Sequence, residues 1–189
     1  MRFAALAGAA ALILLVSLAD RALSAPFYDP ALRAFPFKEA WLLAVPGHTG
    51  LKWLMVASWV GCIARGGAWR RGALNMALIA LVVSLLKHYS PYSCPWDLPD
   101  YGGAKPDAGA CLPAAHPISG FALLGLYLAL EGEPQKARLV LCTAWIIGLA
   151  AGAVQVARGA HFVSHVLWTA WVAWSVTLAL AAARGRSSA

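Results

Sequence analysis

The sequence predicts an all-α integral membrane bundle of about six transmembrane helices, and three observations carry that expectation. Of its 189 residues, 61% are hydrophobic and only 12% are charged, whereas soluble domains are nearer half apolar and a quarter charged. Apolar stretches recur along the chain at close to the 20 or so residues that a helix needs to cross a bilayer. Lys and Arg lie between these stretches, without the run or stripe that nucleic acid would require. The net charge of +7 therefore reads as contact with lipid headgroups or an anionic substrate. Length allows one membrane domain, 1–189, and no linker is visible.

Taken in order, residues 1–23 read as a first span (3–19) or an uncleaved signal anchor. Arg2, the apolar run and Ala22-Leu23-Ser24-Ala25 also fit a cleaved signal peptide. Leu23 at the −3 position and Pro26 after the cut favour a retained helix. Residues 24–49 form an outer loop with an interfacial segment at 37–45, between Pro36 and Pro46 and too short to cross. The remaining spans, within 50–189, are expected at 50–64, 72–86, 118–130, 139–156 and 162–183, several extending into flanking residues.

Basic residues in short loops set orientation. Arg65, Arg70 and Arg71, then Lys136 and Arg138, then Arg184 and Arg186, all fall on one side with Arg2, which should be the cytoplasm. The loop 88–115 and the turn 158–161 then share the outer face. A loop so long in so small a membrane protein is usually functional. Tyr92, Trp96 and Tyr101 within it are candidate interfacial anchors.

Of the four cysteines, Cys62 and Cys142 fall within spans, where a small apolar residue is the ordinary explanation. Cys94 and Cys111 share the outer loop, so a disulfide is plausible in an oxidising compartment, with free thiols the alternative.

Three of the five histidines collect at expected outer helix ends: His116 before the fourth span, His161 and His165 at the start of the sixth. The last two are four apart, so both rings point the same way on a helix. Ionisable groups at such depth are costly and default to function. With Lys87 and Arg158 nearby and no Asp or Glu well inside a span, hydrolysis by paired carboxylates lacks its residues. Phosphoryl transfer fits: cations neutralise phosphate oxygens, one imidazole attacks phosphorus and another protonates the departing oxygen. A zinc site on His161 and His165, with His116 or Asp97 as further ligand, is the metal alternative; it lacks the glutamate of a His-Glu-x-x-His motif.

These residues resemble the type-2 phosphatidic acid phosphatases (PAP2), whose motifs are Lys with Arg-Pro seven residues on, then Pro-Ser-Gly-His, then Ser-Arg with His and Asp following. Lys87 is followed at that spacing by Cys94-Pro95, Pro113-Ala114-Ala115-His116 looks like the second motif, and Gly159 to His165 looks like the end of the third. The resemblance runs from about Gly72 onward, and Cys94-Pro95-Trp96-Asp97-Leu98 with Tyr101-Gly102-Gly103 is similar to a bacterial subgroup. It implies His161 as nucleophile through a phosphohistidine, His116 as general acid and Lys87 as phosphate clamp, with Ala115 and Gln155 at phosphate-binding positions of the motifs.

Cys94, Ala114 and Gln155 stand where the family has Arg, Ser and Arg, and His165 stands where it has the orienting Asp. Arg158 is the candidate replacement clamp, His165 the candidate orienting group and Asp97 the candidate loop carboxylate. The resemblance implies hydrolysis of a lipid phosphomonoester or pyrophosphate at the periplasmic face of a bacterial inner membrane, with no metal or other cofactor. A phosphotransferase and a degenerate lipid-phosphate binding or transport protein are the alternatives. The expected partners are the lipid phosphate and membrane lipids, with neither nucleic acid nor an obligate protein partner.

Overall fold

An unbroken apolar run forms α1 (Arg2–Leu18) at the start of the computed structural model, which describes residues 2–187. Met1, Ser188 and Ala189, and the side chains of Arg2 and Arg186 assigned above to the cytoplasmic side, lie outside the described residues. The chain then bends by 66° into α2 (Asp20–Ser24) and a 3-10 turn (Ala25–Phe27), so the first predicted span is one arm of a bent pair. Of the predicted interfacial stretch only α3 (Trp41–Ala44) is helical, with Trp41 and Leu42 exposed. A π-helical turn (Val45–Gly50) leads into α4 (Leu51–Arg65). Gly66, at φ 71°, starts α5 (Gly67–His88). After the long loop come α6 (Ile118–Phe121), α7 (Leu124–Ala129), α8 (Pro134–Ala157) and α9 (Val163–Ser187).

Among the described residues α5, α8 and Val163–Gly185 of α9 are long and apolar enough to cross a membrane, and the bent pair makes a fourth if counted as one span. The other two predicted spans differ from expectation. Helix α4 has 15 residues, and 118–130 is broken between α6 and α7. The reason for the second difference is packing: Phe121, Leu124, Leu128 and Leu130 are almost fully buried, so this apolarity fills the centre of the bundle.

Small residues let the backbones meet there, as in membrane helix packing generally. A Cβ on Gly120 would lie 2.0 Å from the Gly148 nitrogen of α8, and one on Gly125 would lie 2.7 Å from the Met76 nitrogen of α5. Polar ties complete the frame. Asn75 donates to the Gly125 carbonyl at 3.0 Å, Trp171 of α9 to the Leu6 carbonyl of α1 at 3.0 Å, and Arg184 to the Leu128 carbonyl at 3.1 Å.

The start of α9 is held from outside the helix. Asp20 takes the Ser164 amide on Oδ1 at 3.0 Å and the Ser164 hydroxyl on Oδ2, and both residues are buried. A carboxylate accepting from a helix's first turn also complements its dipole. In the outer loop Tyr101 departs from the expected anchor role. It is buried against Tyr28, at 5.1 Å between ring centres, and against Phe35 and Phe162, because a closed aromatic cluster removes more apolar area from water than a rim position does.

Candidate active site

Helix α8 ends in a Schellman arrangement: Gly159, at φ 73°, donates to the Val156 carbonyl at 3.0 Å and Ala160 to the Gln155 carbonyl at 2.9 Å. Only glycine suits this turn, since its φ is left-handed and a Cβ would lie 2.3 Å from the Phe35 ring. The turn delivers His161 directly after the helix end, and α9 then carries His165 one turn in.

The second and first motifs are strapped to this turn by backbone bonds. Ala114 donates to the His165 carbonyl at 3.1 Å and accepts from Thr169 Oγ1 at 2.7 Å, which brings the chain leading to His116 against α9. Trp96 donates to the Gly159 carbonyl at 3.0 Å. Cys94 and Cys111 are joined, with Cα atoms 5.3 Å apart. Lys87, in the last turn of α5, donates through Nζ to the Ala110 carbonyl.

His161 is buried, with Nδ1 3.2 Å from Cys111 Sγ. A disulfide sulfur carries no proton, so this is a hydrogen bond only with Nδ1 as donor, which leaves the lone pair on Nε2. The same sulfur lies 3.4 Å from the Ala160 carbonyl oxygen, and without a proton that approach is a packing contact. Burial pushes the His161 imidazole well below its ordinary range, and the nearby charges of His165, Lys87 and His116 push the same way. His165 packs with its ring centre 5.8 Å from that of His161, and its buried Nδ1 has no hydrogen-bond partner. The orienting contact on His161 Nδ1 thus comes from Cys111 rather than from His165.

His116 is stacked on a residue that sequence reasoning did not single out. The His48 ring lies 3.5 Å away at 12°. His116 Nε2 is 3.0 Å from the His48 carbonyl oxygen, and Gln155 Nε2 is 3.2 Å from His48 Nδ1. Burial lowers His116 and takes His48 down to about 4, the charges of His116 and Arg158 adding to the effect on His48. Gln155 is buried and uses its side-chain amide on His48. Arg158, also buried, donates Nε to the Lys38 carbonyl at 2.8 Å, while its Nη1 has no partner. Ala115 precedes His116, and its carbonyl accepts from Ile118 at 3.2 Å.

Asp97 is not brought in: among the described residues no hydrogen bond or ion pair joins its carboxylate to a histidine, and its backbone pairs with Cys94 and Lys105. The metal alternative also lacks its ligand set. The one group of three metal-ligating side chains found among the described residues is Cys94, Cys111 and His161, and its two sulfurs are bonded to each other.

The PAP2 superfamily model matches residues 70–188. The chain belongs to the PAP2 superfamily. No curated protein and no solved structure matches it. Phosphatase-type chemistry comes with that family, and the three stretches that resemble its motifs are the ones joined by the strapping bonds above. Asp20, Phe35, Lys38 and His48 all precede the matched region, so part of the site's wall is built outside the PAP2 core. A signal for His48 did exist: a histidine between Pro46-Gly47 and Gly50, at the edge of an apolar segment.

Proposed function

We propose that this PAP2 protein hydrolyses a lipid phosphomonoester or pyrophosphate at the periplasmic face of a bacterial inner membrane, through a phosphohistidine on His161. The observation that carries the reading is the buried His161 imidazole, kept neutral, with its Nδ1 against Cys111 Sγ and Lys87 and His116 close enough to act on its charge.

In the first step the His161 Nε2 lone pair forms a bond to phosphorus as the bond to the leaving oxygen breaks. His116 enters this step as the imidazolium, its Nε2–H held on the His48 carbonyl, and its second proton, on Nδ1, passes to that oxygen. In the second step water attacks phosphorus, its proton returns to His116 Nδ1, and the phosphorus–nitrogen bond breaks to release phosphate. Lys87 and the unpartnered Nη1 of Arg158 supply the charge that offsets the phosphoryl oxygens. Lysine acts here as a point charge and arginine as a fork.

A lipid substrate is supported by the family match and by the long apolar helices α5, α8 and α9, whose ends flank the site. In this reading α4 and the broken α6–α7 pair complete the six-segment bundle, with Arg65, Arg70, Arg71, Lys136 and Arg138 on the cytoplasmic side. Gln155, engaged with His48 where the family has a phosphate-binding arginine, favours one second reading, a protein that binds lipid phosphate without turnover.

Release of inorganic phosphate from phosphatidic acid, phosphatidylglycerol phosphate and polyprenyl pyrophosphate in detergent tests the proposal. The wild type should turn over at least one of them and trap phosphate on His161, and His161→Ala should be inactive. Equal turnover by both proteins removes His161 as nucleophile. Saturable binding with no release selects the second reading.

A further inference from the structure

Residues before the PAP2 core approach the site at several points, and the most informative is the π-helical turn Val45–Gly50. Such turns are uncommon and recur at functional sites. Gly47 seats this one against α8, where an added Cβ would lie 3.1 Å from Val154. Next to it, His48 faces His116 with both its backbone and its ring.

The donor and acceptor roles follow from the partners. A carbonyl oxygen only accepts, so His116 Nε2, 3.0 Å from the His48 oxygen, carries a proton. In the neutral ring Nδ1 then holds the lone pair. An amide nitrogen only donates, so Gln155 Nε2, at 3.2 Å, fixes the lone pair of His48 on Nδ1. The His48 ring is thereby held in one orientation, and the His116 ring lies on it at 3.5 Å and 12°. One interaction sets which His116 nitrogen carries the proton, and the other sets the plane of its ring.

We propose that His48 is a positioning residue for His116: its carbonyl holds the Nε2–H tautomer and its Gln155-braced ring holds the imidazole plane, so that Nδ1 is the nitrogen presented to the leaving oxygen. The proposal rests on the phosphatase reading for what His116 does, but not for how His116 is held. A backbone carbonyl on the far nitrogen is a common way to orient a working histidine. Here that carbonyl comes from a segment that the family match does not include.

The test uses the full chain in detergent micelles. With isotope-labelled imidazoles, and His116→Ala to assign the signals, nitrogen spectra should report His116 as the Nε2–H tautomer in wild type and also in His48→Ala, which keeps the backbone carbonyl. His48→Ala should lower kcat for phosphate release from dioleoyl phosphatidic acid by about 10- to 100-fold, with KM within about twofold, as expected for a misplaced catalytic group. His48→Phe, which keeps the carbonyl as His48→Ala does but also restores an aromatic face, should recover most of that loss. An Nδ1–H tautomer in wild type overturns the proposal, as does a His48→Ala protein matching wild type in kcat. So does a His48→Phe protein as slow as His48→Ala, since an aromatic face at position 48 would then not be what holds the His116 ring. A wild type with the Nε2–H tautomer and no turnover of any lipid phosphate sinks the phosphatase reading while upholding the positioning of His116.

Discussion

His161 and His48 both lose basicity on folding, chiefly because burial penalises the charged ring. For stability the sign follows from proton counting. Below the ordinary histidine value of 6.5 the unfolded chain takes up protons at both positions, whereas folded His48 stays neutral until about 4 and folded His161 stays neutral well below 6.5. The unfolded state then binds more protons, so stability is full above 6.5 and is lost as pH falls from there toward 4. Thermal unfolding in mild detergent should show a lower midpoint at pH 5 than at pH 7.5, and His48→Phe should reduce that difference. An unchanged midpoint across this range would remove both rings as the source of acid sensitivity.

At the scale of elements, the site depends on how closely α6 approaches α8. Gly120 faces the Gly148 backbone with no room for a methyl group, since a Cβ placed there would lie 2.0 Å from a backbone nitrogen that cannot swing aside. Gly120→Ala should therefore push α6 outward and cost about 1–3 kcal/mol, the usual range for overpacking. Because His116 lies just before α6, activity should fall further than the folded fraction does, which circular dichroism and phosphate release on one sample would show. The Cys94–Cys111 link, spanning 17 residues, acts on the neighbouring loop. Replacing both cysteines with serine should cost about 3 kcal/mol in the chain-entropy model and also free His161 Nδ1 from its sulfur contact. Full labelling of both thiols in unreduced native protein would remove the link from the account.

For the whole molecule, the arrangement of charge predicts a topology. Arg184 reaches the Leu128 carbonyl, so the end of α9 lies beside the end of α7, at the opposite end of α9 from His161 and His165. In a Cys62→Ala, Cys142→Ala background with the disulfide intact, an impermeant thiol reagent added to intact spheroplasts should label Asp107→Cys and spare Arg138→Cys. The reverse pattern would turn the site toward the cytoplasm.

Much of this protein is legible in the order of its residues. Apolar stretches separated by Arg and Lys announce a helical membrane protein, because lipid leaves backbone groups no partner but each other. His116, His161 and Lys87 stand out because ionisable groups at helix ends in an apolar chain are costly unless used. Other features depend on contacts between residues far apart in the chain. Residues 118–130 have a span's composition, yet whether they face lipid or fill the centre depends on Gly148 and Met76 coming close. The contact of Cys111 Sγ with His161 Nδ1, the hold of Asp20 on the start of α9, and the stacking of His48 on His116 join positions up to 144 residues apart. Local pattern reports what a residue needs from its surroundings; which distant partner meets that need is decided only when the helices pack.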